Sequence, residues 1–314
     1  TKDLKKFDAQ NIEGRAGRFM EHYKGRVFIM DNEFSKCING QAELLQHKFF
    51  DKDIEKQDVD IIFTESPYLT EKQIERRNQL NRMKDSGVMP NACFEEFRTI
   101  SYEDKIYLYN TIARFSLADR NKIKELIKRF VGQHKPYNPG LELICQSIRP
   151  IIKNDKLRFY AENGDGVSGN CYLTGMISAF ILRGFAGSAN YYINKEHDVD
   201  KGIRRAANFV FYMLRYQVVK YFGLFNLLYR HFEATNEGID INEINGIEAL
   251  LLRLEYSADT KLGRQVSDIG ASFKVVEYYD AKECNPDNPN KIRELYDSLD
   301  DFEKYSISKI EQIL

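Results

Sequence analysis

Residues 201–231 read KGIRRAANFVFYMLRYQVVKYFGLFNLLYRH, and this stretch decides the fold class. It holds no acidic residue and no proline. As one uninterrupted helix rising 1.5 Å per residue, it would be about 45 Å long. At about 100° per residue, Lys201, Arg204, Arg205, Asn208, Arg215, Asn226 and Arg230 fall within about 100° of one another. Almost everything else in the run is Phe, Tyr, Val, Leu, Met or Ala. The spacing predicts a helix buried on most sides that shows one basic strip. Such a strip either pairs with acids elsewhere in the fold or lies along nucleic-acid phosphates.

Working outward, the neighbouring segments also read as helices. Residues 171–185 and 244–256 are apolar helical runs. After the loop Asn285-Pro286-Asp287-Asn288-Pro289-Asn290, residues 291–314 form a charge-rich amphipathic helix. On the N-terminal side, Thr70-Glu71-Lys72-Gln73 is a capping box that opens a charged helix running to about Lys84. Ser101-Tyr102-Glu103-Asp104 is a second helix start. Residues 117–130 make a third helix, closed by Gly132, and residues 136–140 make a turn. Two apolar runs stand earlier, the strand-like 26–30 and 59–63. No internal repeat is visible. The longest apolar stretch, 206–228, is broken by Arg215 and Lys220, whereas a membrane span needs about 18 or more apolar residues.

The whole chain has 314 residues, with 46 Lys and Arg against 47 Asp and Glu, for a net charge of −1. That balance excludes a uniformly basic nucleic-acid coat but leaves room for local basic stripes. The content of 43% hydrophobic and 30% charged residues is that of a globular protein. Cys37, Cys93, Cys145, Cys171 and Cys284 lie far apart with no C-x-x-C pair. Scattered, odd-numbered cysteines read as reduced thiols in a cytoplasmic protein.

The stretch richest in chemistry is Gly14-Arg15-Ala16-Gly17-Arg18. Two arginines three apart on a helix point the same way. Their planar guanidinium forks match phosphate oxygens, and the small residues between them allow close approach. The unit suits a polyphosphate or the charge that develops in phosphoryl transfer. Around it stand Phe7 and Asn11, then Gly25 and the run 27–30. This pattern resembles the sixth motif of superfamily-two DExH-box helicases and is most similar to their Ski-like branch. Asn11 stands where many relatives carry Gln.

The resemblance implies that Arg15 and Arg18 face the ATP γ-phosphate between two RecA-like domains, with Arg18 as the arginine finger. No GxxxxGK[ST] loop and no DExD/H motif occurs in the chain. In the family both precede motif six. The implied protein is therefore a larger helicase of which this chain is the C-terminal part, needing ATP and Mg²⁺, with this part alone inactive. The implied architecture is mostly α. It comprises the end of a RecA-like domain (1–35), a linker (36–90), a winged-helix-like module (91–150) and a helical domain (151–314). The implied partners are single-stranded DNA or RNA, the upstream RecA-like domains and a nuclease, in phage defence or repair, with no membrane. Lys201, Arg204, Arg205, Arg215 and Arg230 would touch the nucleic-acid backbone.

Other readings come from other classes. The chain could serve as a helical protein-interaction or adaptor module. A cysteine hydrolase could be centred on Cys171, placed at a helix start where a thiol is acidified. Arg129 and His134 have the R-x4-H spacing of HEPN ribonucleases. His197-Asp198-Val199-Asp200 reads as a metal cluster or, more simply, as a helix cap with acids favourable to the dipole. Asp300-Asp301-Phe302-Glu303 reads as a solvated helix face.

Overall fold

The computed structural model describes residues 56–164, 170–284 and 287–312. Arg15, Arg18, the strand-like run 26–30 and the RecA-like end at 1–35 lie outside them. Among the described residues the chain is helical. The one β feature is an isolated antiparallel bridge between Gly164 and Cys171. The mostly α class is thus what the structure shows. Residues 91–150 contain no strand among the described residues.

Two compact units divide the described chain between Asp259 and Thr260. The first contains α1 (Asp58–Phe63), α2 (Glu71–Asp85), α3 (Ala92–Glu95), α4 (Tyr102–Ala113), α5 (Leu117–Gln133), α6 (Asn138–Ile148), α7 (Asp155–Glu162) and α8 (Tyr172–Glu196). It continues with α9 (Val199–Asn208), a π-helix (Phe209–Val218), α10 (Val219–Glu237) and α11 (Glu248–Tyr256). The second contains α12 (Lys261–Asp268), α13 (Phe273–Cys284), α14 (Pro289–Asp297) and α15 (Asp301–Ile310).

Local chemistry starts these helices where the sequence predicts. Thr70 and Gln73 complete the capping box of α2, and Ser101 accepts from the Asp104 amide at the start of α4. Asp198 caps α9 by accepting from the Lys201 amide, so the His197–Asp200 segment serves as a cap. Helix ends differ more. Helix α5 runs through Gly132 and closes on His134, held left-handed at φ 49°. The expected turn at 136–140 leads into α6, which begins at Asn138 with Pro near its start. The apolar helix expected at 171–185 continues to Glu196, with a break at Gly184, whose φ of 56° a side chain would resist. The terminal helix expected from 291 is two helices, and Asp300 with Glu303 forms the capping box of the second. Glu303 is buried there rather than solvated.

The core of the first unit is built on α10. Leu224, Phe225, Leu228 and Tyr229 are buried along it. Phe225 packs against Phe115 and Tyr109 against Phe232, at ring separations of 6.3 and 6.2 Å. The Tyr221 hydroxyl accepts from the Lys153 amide at 3.0 Å. The two ring contacts join 91–150 to 151–259 in one unit. At the N-terminal end, Asp58 receives both the Arg76 guanidinium and the Tyr102 amide, tying α1, α2 and α4 together. The second unit is anchored by buried Asp280, which accepts from the Thr260 amide and hydroxyl at 3.0 and 2.7 Å.

Helices α8 and α9 approach so closely that a methyl group on Gly202 would lie 2.6 Å from the Ile193 Cα. Backbone cannot yield cheaply there, so Gly202→Ala should lower stability by about 1–3 kcal/mol. Urea denaturation should show a lower midpoint at unchanged slope.

Candidate nucleic-acid interface

The stretch 201–231 is helical throughout, but it is not one α-helix. Phe209–Val218 closes its turns by π-type bonding between α9 and α10. Such i→i+5 turns wind more slowly than α-turns. The 100° register therefore fails after Asn208, and the five cations do not form one strip. Phe209, Val210, Met213 and Leu214 are all buried on the π segment.

Lys201, Arg204 and Arg205 remain together, exposed on the short helix α9. Arg205 pairs with Glu196 at the end of α8. Lys201 Nζ lies 3.6 Å from the Asp198 carboxylate of its own cap. Arg204 points its charge to solvent. Arg215 and Arg230 are half-buried and serve the fold. The Arg215 guanidinium donates to the Ser257 hydroxyl at 3.4 Å and lies over Phe211, and burial lowers its pKa. Arg230 donates to the carbonyls of Ile244 and Ile241 and to Glu248, at 3.0, 2.7 and 2.8 Å. Its neighbour Asn226 holds Glu248 and the Ile247 amide. Together they pin the loop between α10 and α11.

The slow winding brings out three aromatic residues. Phe211, Tyr212 and Tyr216 are 47, 52 and 67% exposed, a concentration of solvent-facing rings on the π segment. In an i→i+5 helix, residue 216 stands one turn beyond 211 and 212, so the three share a face. The interleaving of cations and aromatics over 204–216 is the sequence signal that would have found them. The same unit holds a cavity of about 290 Å³ whose lining includes Lys156, Tyr160, Tyr192, Arg205, Asn208 and Phe209. No acidic residue lines it.

The other candidate centres are placed differently. Cys171 is the N-cap residue of α8 and is buried. Its thiol lies 3.4 Å from the Thr174 hydroxyl. Its amide donates to Glu142, which also accepts from Thr174. Hydrogen bonding with Cys145 lowers the Cys171 pKa, and burial raises that of Cys145. Among the described residues no histidine hydrogen-bonds to Cys171, so no histidine among them is in place to carry a proton from it. Arg129 pairs with Glu125 and stacks on Tyr137, while His134 turns its Nδ1 toward Asp259 at 3.5 Å. That pair does not converge on a shared point. Among the described residues no group of three or more His, Cys, Asp or Glu is arranged to hold a metal ion. No helix among them is long and apolar enough to cross a membrane.

No protein-family model, curated protein or solved structure matches this chain.

Proposed function

We propose that this chain is the C-terminal part of an ATP-dependent nucleic-acid helicase or translocase of the cytoplasm, acting in phage defence or repair. In this reading Arg15 and Arg18 complete an ATP and Mg²⁺ site whose other walls are upstream RecA-like domains. Residues 91–150 occupy the winged-helix position and contribute helices to it. The helical part holds single-stranded DNA or RNA and works alongside a nuclease. Motif-six spacing supports the ATPase half of the reading.

The observation that carries the nucleic-acid half is the run of exposed rings Phe211, Tyr212 and Tyr216 directly after the exposed cations Lys201, Arg204 and Arg205. Single-strand binders combine cations that follow the backbone with aromatic faces that receive bases, and they tolerate any sequence. Here α9 supplies the first and the π turn the second.

The two contributions separate in a salt series. Arg204→Ala should flatten the slope of log affinity against log salt by about 0.7, the value for one phosphate contact on a single strand. Tyr216→Ala should leave the slope in place and weaken binding by about 1–3 kcal/mol, the value of one stacked base. Circular dichroism checks that both variants keep their helices. Unchanged affinity and slope in both folded variants would reduce the cations and rings to ordinary surface.

A further inference from the structure

The cavity of about 290 Å³ is walled by residues of α7, α8, α9 and the π segment, and it divides into a floor and a rim. Tyr192, Phe209 and Met213 make the floor and are buried. The Phe209 ring meets Tyr192 at 6.3 Å and Tyr160, edge-on, at 6.4 Å. The Tyr192 hydroxyl is already committed, donating to the Met176 sulfur at 3.0 Å. The rim is exposed and rich in donors, from Lys156, Arg205 and Asn208. Among the described residues, neither the Lys156 ammonium nor the Asn208 side-chain amide has a hydrogen-bond or ion-pair partner. Arg205 gives its Nη1 to Glu196, and its other guanidinium nitrogens have no partner among the described residues. Glu196 is not a lining residue, so among the described residues no carboxylate faces the space.

We infer that this cavity seats one unstacked nucleotide of the single strand that follows α9, its base against the ring floor and its phosphate on the rim between Lys156 and Arg205. The inference rests on the strand binding proposed above. Two cations without a facing acid select a negative group and repel an amine or a metal ion. Inorganic phosphate would satisfy the rim and leave the aromatic floor to water. A nucleotide brings an anion and a flat ring together. The Asn208 amide offers a donor and an acceptor side by side, which is the pattern a base edge pairs with. Bases of a single strand that leave the stack are received in this way, on aromatic side chains with polar groups at their edges. Arg205 belongs both to the cation row of α9 and to the rim, so the strand stays on α9 while one of its nucleotides turns inward. Lys156 stands across the cavity on α7 and extends the phosphate-binding surface to a second helix.

Saturation-transfer NMR on the chain tests this with thymidine monophosphate, thymidine and inorganic phosphate, and with oligothymidylate as competitor. The monophosphate should bind and be displaced by the oligonucleotide. Thymidine should bind about ten- to a hundredfold more weakly, the value of the lost charged hydrogen bond. Lys156→Ala removes an exposed side chain without a partner, so the fold should survive. It should weaken the monophosphate about tenfold and flatten the salt slope of oligothymidylate binding by about 0.7. Asn208→Ala should leave that slope in place and weaken binding about two- to tenfold, the value of a neutral hydrogen bond. The inference is overturned if the monophosphate does not bind, if thymidine or inorganic phosphate binds as tightly, if oligothymidylate fails to displace the monophosphate, or if both variants bind oligothymidylate as wild type does. In that last case, a strand that still responds to Arg204→Ala keeps the α9 reading and removes the cavity alone. A strand that does not bind the wild type removes both.

Discussion

On the proposed helicase reading, Arg18→Ala should lower ATP turnover by about 10³–10⁵-fold in a protein in which this chain follows phosphate-loop and metal motifs. The size of the effect follows from what an arginine finger does. It meets negative charge that grows only as the phosphoryl group transfers, so its loss raises the barrier more than it weakens nucleotide binding. The KM for ATP should therefore move far less than kcat. Arg18→Lys should recover little, because a point charge on a flexible stem cannot reproduce the planar fork. Steady-state phosphate release checks both variants. Wild-type turnover in Arg18→Ala would remove the motif-six assignment, whatever the strand-binding experiments gave.

Lys105→Met should destabilise the first unit by about 2–4 kcal/mol, from one buried and one part-buried carbonyl left without a donor. Lys105 is fully buried on α4, and its ammonium donates to the carbonyls of Phe94, at 2.6 Å, and Glu96. It also lies 5.4 Å from the centre of the Tyr102 ring. Methionine keeps the stem and removes every donor, so the loss in urea midpoint isolates the hydrogen bonds.

The same group shapes the pH response. Burial lowers the Lys105 pKa to about 8, against the opposing pull of Asp58, Cys93 and Glu96. Between about 8 and the ordinary lysine value, the unfolded chain holds the proton more firmly than the folded one. Stability therefore rises with pH through that window, by as much as about 3 kcal/mol from this lysine. Burial raises Cys93 and Tyr102, each to about 12, and these act in the opposite sense at the alkaline end. The difference between wild type and Lys105→Met cancels much of that background. It should widen from pH 8 to 10, and a flat difference would show that Lys105 does not titrate in the fold.

The parts of this structure that sequence makes legible are those decided within one helical turn. A hydroxyl or carboxylate three residues before an orphan amide caps a helix wherever it stands, and Thr70, Ser101 and Asp198 do so. The helical character of 201–231 is legible from its composition, but its winding is not. Phe209, Val210, Met213 and Leu214 would share a face in an α-helix as well, so their spacing does not mark the change of winding. The same gap hid the duties of Arg230, whose acceptors lie 11 to 18 residues downstream in a loop that sequence leaves unplaced. Of the expected interface, Lys201, Arg204 and Arg205 hold together because they fall within α9, ahead of the change in winding.

The chain contains no tryptophan, and Tyr216 stands two-thirds exposed on the π turn. Together these leave the near-ultraviolet spectrum of the protein with an empty channel. An indole introduced at position 216 would be the sole long-wavelength emitter in the molecule. Its quenching would report the arrival of a nucleobase at one turn of one helix, in real time and without an attached dye.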